Sequence, residues 1–311
     1  MSGKRKKILV SPTSFGECGN QPLELLEKNN YEVILNPFHR KMTPGEIVEY
    51  GKDCVGIIAG VESLNASVLE ALPHLRCISR CGSGMDTVDL TKAKELNIVV
   101  KNTPEGPTRA VAELTIGLIF DLLRQISLRD RAIRGGKWNK EMGFLLKDKT
   151  VGVLGLGRIG RTVAELLLRL DAKVIGSDVL SNKSWLEKTK IRLLSSHDLL
   201  RESDIVCVHV SSSGGNQSLI GEKELASMKK GSFLVNVSRG GVVDENALYQ
   251  ALKSDHLAGA AIDVFQQEPY NGPLKELDTI ILTPHIGSYA RESRLEMEVQ
   301  AVKNLVEALE T

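Results

Sequence analysis

The chain has 311 residues, with 40 Lys and Arg against 39 Asp and Glu, a formal net charge of +1. That balance gives no charge-driven case for nucleic acid or an anionic membrane as partner, and no apolar run is long enough to cross a bilayer. The length suggests about two domains. Cys18, Cys54, Cys77, Cys81 and Cys207 form an odd set without a metal-like CxxC pair, so they are expected to be reduced thiols of a cytoplasmic protein with no metal site. The basic head MSGKRKKILV precedes too short an apolar run for a signal sequence.

In chain order, short β-branched runs alternate with longer amphipathic ones, which is the pattern of a parallel sheet. Strands are predicted at 7–11, 31–36, 55–60, 75–80 and 98–102, with helical stretches such as PLELLEKNN and LNASVLEAL between them. The Ala- and Leu-rich stretch from Thr108 to about Arg134 predicts one long helix or two in succession. After Gly135-Gly136 a second series starts, with strands predicted at 150–156, 172–178, 205–210, 232–238, 258–265 and 279–285. The last stretch, ARESRLEMEVQAVKNLVEAL, predicts a helix whose apolar face is Leu295, Val299, Val302, Leu305 and Leu309. This order predicts an α/β protein of two parallel-sheet domains, Rossmann-like or flavodoxin-like, with the second inserted into the first. The boundaries implied are 1–102 with 288–311 for one domain and 103–287 for the other.

The inserted domain opens on VGVLGLGRIGRTVAELLL, which holds Gly155-Leu156-Gly157-Arg158-Ile159-Gly160. A GxGxxG directly after an apolar strand and directly before an Ala/Leu helix predicts a dinucleotide site. Gly155 makes the tight turn, Gly157 admits the pyrophosphate and Gly160 allows close helix–strand packing. The phosphates then rest on the helix N-terminus that Arg158 and Ile159 begin. Asp178 ends the next strand, where an acid accepts from the adenine-ribose hydroxyls and repels a 2′-phosphate. The residues that follow, Val179 and Leu180, offer no cation. NAD is the expected cofactor.

Three polar residues follow the late strands: Arg239 in NVSRGG, Glu268 in DVFQQEP and His285 in LTPHIGS. Ligands of open α/β sheets bind beyond the carboxyl ends of the strands, so these three are candidates for one site. Hydride transfer needs a group that takes the alcohol proton, and histidine suits it. A carboxylate on the imidazole fixes its tautomer, and a guanidinium fork holds a substrate carboxylate and polarises its carbonyl.

NVSRGGVVDENALYQAL, AGAAIDVFQQEP, LTPHIGS, NTPEGPTRAVAELTIGLI and GLGRIGR together resemble the D-isomer-specific 2-hydroxyacid dehydrogenase family over nearly the whole chain. The resemblance implies that Arg239 binds and polarises the substrate, that His285 is the acid/base and that Glu268 is its partner. It further implies that Asp263 contacts the nicotinamide side of the cofactor, and that the Val237–Ser238 backbone and Ser288 lie along it. CGSGMDTVD resembles the loop whose N–H groups receive the substrate carboxylate, here through Ser83 and Gly84; its glycines also suit a simple strand-to-helix turn. A homodimer through the nucleotide domain is implied as well.

The leading substrate pairs are 3-phosphoglycerate with 3-phosphohydroxypyruvate, or the unphosphorylated hydroxypyruvate and glyoxylate. Related formate dehydrogenases carry Gln where Glu268 stands. Many phosphoglycerate dehydrogenases carry Arg-Ser-x-Thr where this chain has Glu62-Ser63 in AGVESLNASV, although Arg80 offers a cation just before the glycine loop. The chain stops after its return helix, so the regulatory C-terminal domain of some phosphoglycerate dehydrogenases is not expected. An NAD(H)-sensing, corepressor-like binding protein with a residual dehydrogenase site is the alternative reading. Those corepressors carry an extended C-terminal tail.

Overall fold

A computed structural model describes residues 5–180, 182–211 and 218–310; the first four residues of the basic head and Thr311 lie outside the described residues. Among the described residues twelve strands form two all-parallel sheets. The first sheet contains β1 (Lys6–Val10), β2 (Tyr31–Leu35), β3 (Cys54–Ala59), β4 (Cys77–Arg80) and β5 (Val99–Asn102), in the order β2-β1-β3-β4-β5. This is the flavodoxin-like order. The second contains β6 (Thr150–Leu154), β7 (Lys173–Ser177), β8 (Arg192–Leu193), β9 (Ile205–Val208), β10 (Ser232–Asn236), β11 (Leu257–Ile262) and β12 (Ile280–Leu282). Its order, β12-β11-β10-β9-β6-β7-β8, reverses direction between β6 and β9 as in a dinucleotide-binding sheet.

The chain divides into two compact units, Met1–Pro107 with Ser288–Thr311, and Thr108–Gly287. The central strands of both sheets are buried on both faces, as expected of parallel sheets. In β1, Ile8 and Val10 join the core that includes Phe15, Leu26, Met297 and Leu305, while Leu9 joins Ile47, Leu69 and Leu72 on the other face. In β6, Val151 and Val153 face Val163, Ala164 and Leu167 of the helix Arg158–Arg169, and Leu154 faces Leu199 and Leu225.

Of the two alternatives for the stretch from Thr108, the structure has two helices, Gly106–Arg124 and Ile126–Arg134, broken where Gln125 takes a left-handed φ of 53°. The structure differs from the sequence reading elsewhere. The two-residue β8 was not anticipated; both its residues are exposed, so it carries no apolar signature. The strand expected at 279–285 stops at Leu282, leaving His285 in a loop. Finally, the buried face of the helix Arg291–Glu310 is turned from the predicted stripe. Leu295 and Val299 are only half-buried, whereas Ser293, Arg294, Met297, Glu298 and Ala301 are buried. Counting apolar residues misses a face that carries its own ion pair.

Candidate active site

Because the second sheet is all parallel, the residues that follow its strands collect on one edge: the glycine loop after β6, Asp178 after β7, His209 after β9, Arg239 after β10, Asp263 after β11 and His285 after β12.

The glycine loop is built for something that passes close to its backbone. Gly155 has φ +95°, and a Cβ there would lie 2.6 Å from the His209 carbonyl oxygen. A Cβ on Gly160 would lie 1.9 Å from the Gly155 oxygen, so only glycine lets the helix begin this close to the strand. A Cβ on Gly157 would meet nothing within 4 Å. This residue caps the helix Arg158–Arg169 without a side-chain bond, which leaves its first N–H groups for an anion. Arg158 is exposed there, while Ile159 turns inward against the core. The Asp178 carboxylate accepts from Leu156 N at 2.5 Å and Leu180 N at 2.8 Å. A carboxylate offers about four lone-pair positions, so it anchors the loop and keeps acceptors for ribose hydroxyls. These residues fit NAD.

His209 was not singled out by sequence. Its Nε2 is buried without a hydrogen-bond partner among the described residues, and burial pushes the imidazole down to about 4. It is therefore neutral beside the glycine loop at neutral pH.

Beyond β11 and β12 the chain assembles an imidazole–carboxylate pair. Glu268 Oε2 and Oε1 lie 3.0 and 3.1 Å from His285 Nδ1, and Oε1 also accepts from Phe265 N at 3.1 Å. Both side chains are about two-fifths exposed, so the imidazole is open to a reactant. His285 has a left-handed φ of 55°. Such a conformation costs a β-carbon residue about 1–3 kcal/mol and persists only where surroundings impose it. Asp263 imposes it here. Its fully buried carboxylate accepts from Thr283 Oγ1 at 2.6 Å, Ile286 N at 2.8 Å and Gly287 N at 2.9 Å, gripping the loop on either side of the histidine. Burial pushes the Asp263 carboxyl up, opposed by those three bonds and by the nearby His285. Asp263, nominated for the nicotinamide, thus has both oxygens engaged by the His285 loop.

The turn that carries Arg239 shows why two glycines follow it. A Cβ on Gly240 would lie 1.9 Å from the carbonyl oxygen of Phe265 and 2.2 Å from its carbon. The turn therefore packs backbone to backbone on the segment that leads to Glu268, and Gly241 completes it at φ +78°. Asn236 ties the turn together, with Nδ2 donating to Arg239 O at 3.2 Å and Oδ1 accepting from Ser238 N and Oγ at 3.1 and 2.8 Å. Arg239 Nη1 donates to Ser238 O at 2.7 Å. Val237 and Ser238 are buried beneath it.

Ser83, Gly84 and Ser288 belong to the other unit. There Asn102 Nδ2 donates to Ser83 O at 2.8 Å and Gly82 N donates to Thr103 Oγ1 at 2.7 Å, which holds the loop after β4. Among the described residues no group of three His, Cys, Asp or Glu is placed to hold a metal ion, and no helix is long and apolar enough to cross a membrane.

A 3-2-1-4-5-6 strand order, a glycine-bounded helix N-terminus with an acid on the next strand, and a histidine–carboxylate pair on the same edge define the class of nicotinamide-dinucleotide oxidoreductases. Residues 116–287 match the model of the D-isomer specific 2-hydroxyacid dehydrogenase NAD binding domain. The chain is 35% identical to a D-3-phosphoglycerate dehydrogenase of Archaeoglobus fulgidus over 305 residues, 96% of this chain but 56% of that protein. It is 41% identical to a glyoxylate reductase of Thermofilum pendens over 259 residues, 80% of this chain and 76% of that one. The solved TT0316 protein of Thermus thermophilus superposes with a TM-score of 0.90 at 32% identity, covering 98% and 97% of the two chains. This chain belongs to the D-isomer-specific 2-hydroxyacid dehydrogenase family and carries its NAD-binding domain. It spans about half the length of the phosphoglycerate dehydrogenase that it matches.

Proposed function

We propose that the protein interconverts a small D-2-hydroxy acid and its 2-oxo acid with NAD, with hydroxypyruvate and glyoxylate or the phosphoglycerate pair as leading substrates. The observation that carries this reading is the 3.0 Å contact between Glu268 and His285 Nδ1, which leaves Nε2 as the ring nitrogen for a reactant. NAD, when bound, accepts or supplies the hydride. His285 takes the hydroxyl proton on oxidation and returns it on reduction. Glu268 holds the tautomer with the proton on Nδ1 and supports the imidazolium. Arg239 forks onto the substrate carboxylate and polarises the carbonyl. Asp178 favours NAD over NADP. Ser83 and Gly84 present N–H groups to the carboxylate, and Val237, Ser238 and Ser288 lie along the dinucleotide. The substrate domain is assigned to 1–102 with 288–311 and the NAD domain to 103–287.

A homodimer through the NAD domain belongs to the same reading. It is supported by the apolar residues of the 126–145 stretch, where Ile126, Ile133, Trp138, Met142 and Leu145 are all exposed. An apolar run of that extent on a soluble domain marks a protein contact. A monomer mass at micromolar concentration overturns that part. A cytoplasmic location belongs to the same reading, supported by the odd, unpaired cysteine usage of the sequence.

The test is NADH oxidation with glyoxylate, pyruvate, hydroxypyruvate and 3-phosphohydroxypyruvate. Turnover of at least one, abolished in His285→Ala, is expected; turnover of none overturns the reading.

A further inference from the structure

The short loop that carries Glu268 lies in solvent. Phe265 is buried, Gln266, Gln267, Glu268 and Pro269 are exposed, and the Tyr270 ring stacks back on Phe265 with centroids 4.4 Å apart. That stack closes the base of the loop. Packing thus fixes its two ends, while the four residues between them depend on polar contacts. Yet the Glu268 carboxylate must sit 3.0 Å from His285 Nδ1. Exposed backbone of this kind opens readily unless something outside it holds a peptide group.

Glu245, half-buried at the start of the helix Glu245–Lys253, is that group. Its Oε1 accepts from Gln266 N at 2.7 Å, across twenty-one residues of chain. The helix does not need this carboxylate as its cap. Asp244 already accepts from Asn246 N and Ala247 N, both at 2.9 Å. A second carboxylate is still favourable at this end of the helix dipole. Its bond to a backbone N–H is charge-assisted, roughly twice as strong as a neutral one. Burial and the Glu245 charge both push the Tyr270 hydroxyl up, against a bond from Leu274 N, so Glu245 also acts on the far end of the loop. The Phe265–Gln266 peptide is therefore held at both of its polar atoms. Its carbonyl oxygen rests on Gly240, where a Cβ would lie 1.9 Å away, and its N–H points to Glu245. Because a peptide unit is planar, those two contacts set its orientation. Glu268 stands two residues further on.

We propose that Glu245 is a positioning residue for the reaction: by holding the Phe265–Gln266 peptide it sets the Glu268 carboxylate against His285. The proposal rests on the reading of Glu268 and His285 as the acid/base pair. Misplacement of about 1 Å costs catalysis about 100-fold, so a loosened loop should cost roughly 10- to 100-fold in kcat.

The test is a double-mutant cycle on kcat, with the best of the four 2-oxo acids above, over the unmutated protein, Glu245→Ala, Glu268→Ala and the double variant. Glu245→Ala is expected to lower kcat by roughly 10- to 100-fold, with the KM for NADH within about threefold. Glu245→Gln, which keeps an acceptor oxygen, should restore kcat to within about threefold of the parent. In Glu268→Ala no carboxylate remains to be placed, so losing Glu245 as well should change kcat by less than about twofold. Hydrogen exchange of the unmutated protein needs no variant: Gln266 N–H should exchange at least about tenfold more slowly than in an unstructured chain. Exchange at the unstructured rate, a harmless Glu245→Ala, a Gln variant as damaged as Ala, or the same loss in both backgrounds overturns the role of Glu245 alone. Undiminished kcat in Glu268→Ala, or turnover of no acid by the unmutated protein, overturns the acid/base reading and the role of Glu245 with it.

Discussion

Gly240→Ala tests the geometry of the site most directly. The new Cβ meets the Phe265 carbonyl oxygen at 1.9 Å and its carbon at 2.2 Å, against ordinary contact from 3.4 Å. Both sides of the clash are backbone, so no rotamer change relieves it. The turn and the segment leading to Glu268 must separate by roughly 1.5 Å, the gap between those distances. Misplacement of about 1 Å costs catalysis about 100-fold, so kcat/KM should fall by at least that factor. NADH binding, which depends on the glycine loop after β6, should stay within about threefold. Gly241→Ala is the control. Its neighbour space is empty and only its φ of +78° resists a side chain. It should cost about 1–2 kcal/mol of stability with activity largely kept. Steady-state NADH oxidation, NADH fluorescence titration and thermal melts report the three quantities. If Gly240→Ala keeps activity within about threefold of the parent, the claim that this backbone contact positions Arg239 is wrong.

His285→Ala should lower kcat by about two to four orders of magnitude, the worth of a placed acid/base; near-normal turnover with NADH still bound means that another group supplies the proton. Arg239→Lys should harm both kcat and KM because an ammonium cannot form the planar fork; a KM effect alone argues against polarisation of the carbonyl. Asp178→Ala should narrow the preference for NADH over NADPH, and equal kcat/KM for both in the unmutated protein shows that the acid does not face the ribose. His209 has a folded pKa of about 4 against an unfolded value near 6.5, so the folded state favours the neutral ring. That contribution is fully present above about pH 6.5 and is lost as pH falls toward 4. Between pH 7 and 5 the parent should lose about 2 kcal/mol more unfolding free energy in denaturant titrations than His209→Asn, and an equal loss in both refutes the burial argument.

How much was legible in the chain depends on the range of the interaction. The glycine loop is local: strand, tight turn and helix lie within about twenty consecutive residues, so spacing alone carries its meaning. The alternation of strand and helix signals, and hence two parallel sheets, is also local periodicity. The site residues were nominated by their positions after apolar strands and by the family resemblance, since polarity at a strand end already marks where ligands gather.

Other features depend on partners distant in sequence. Nothing around Asp263 announces that its carboxylate grips the loop twenty and more residues later, or that this grip holds His285 at a left-handed φ. The first glycine of Ser-Arg-Gly-Gly reads as turn chemistry until Phe265 is found against it. The helix Arg291–Glu310 was turned from its apolar stripe because Arg294 and Glu298 satisfy each other and Glu298 accepts from Gly16 N at 2.9 Å, which makes burial of charge tolerable. Glu62 reads as a surface acid by residue type, yet it is buried, folded back over Gly60 and accepting from Ser11 Oγ and Gly60 N. Periodicity and residue type are short-range properties, so the order of residues alone settles the sheets and the kinds of chemistry available. Which carboxylates are anchors and which face a ligand is settled only once the chain is folded, because a carboxylate's role follows from how many of its lone pairs the rest of the fold has already taken.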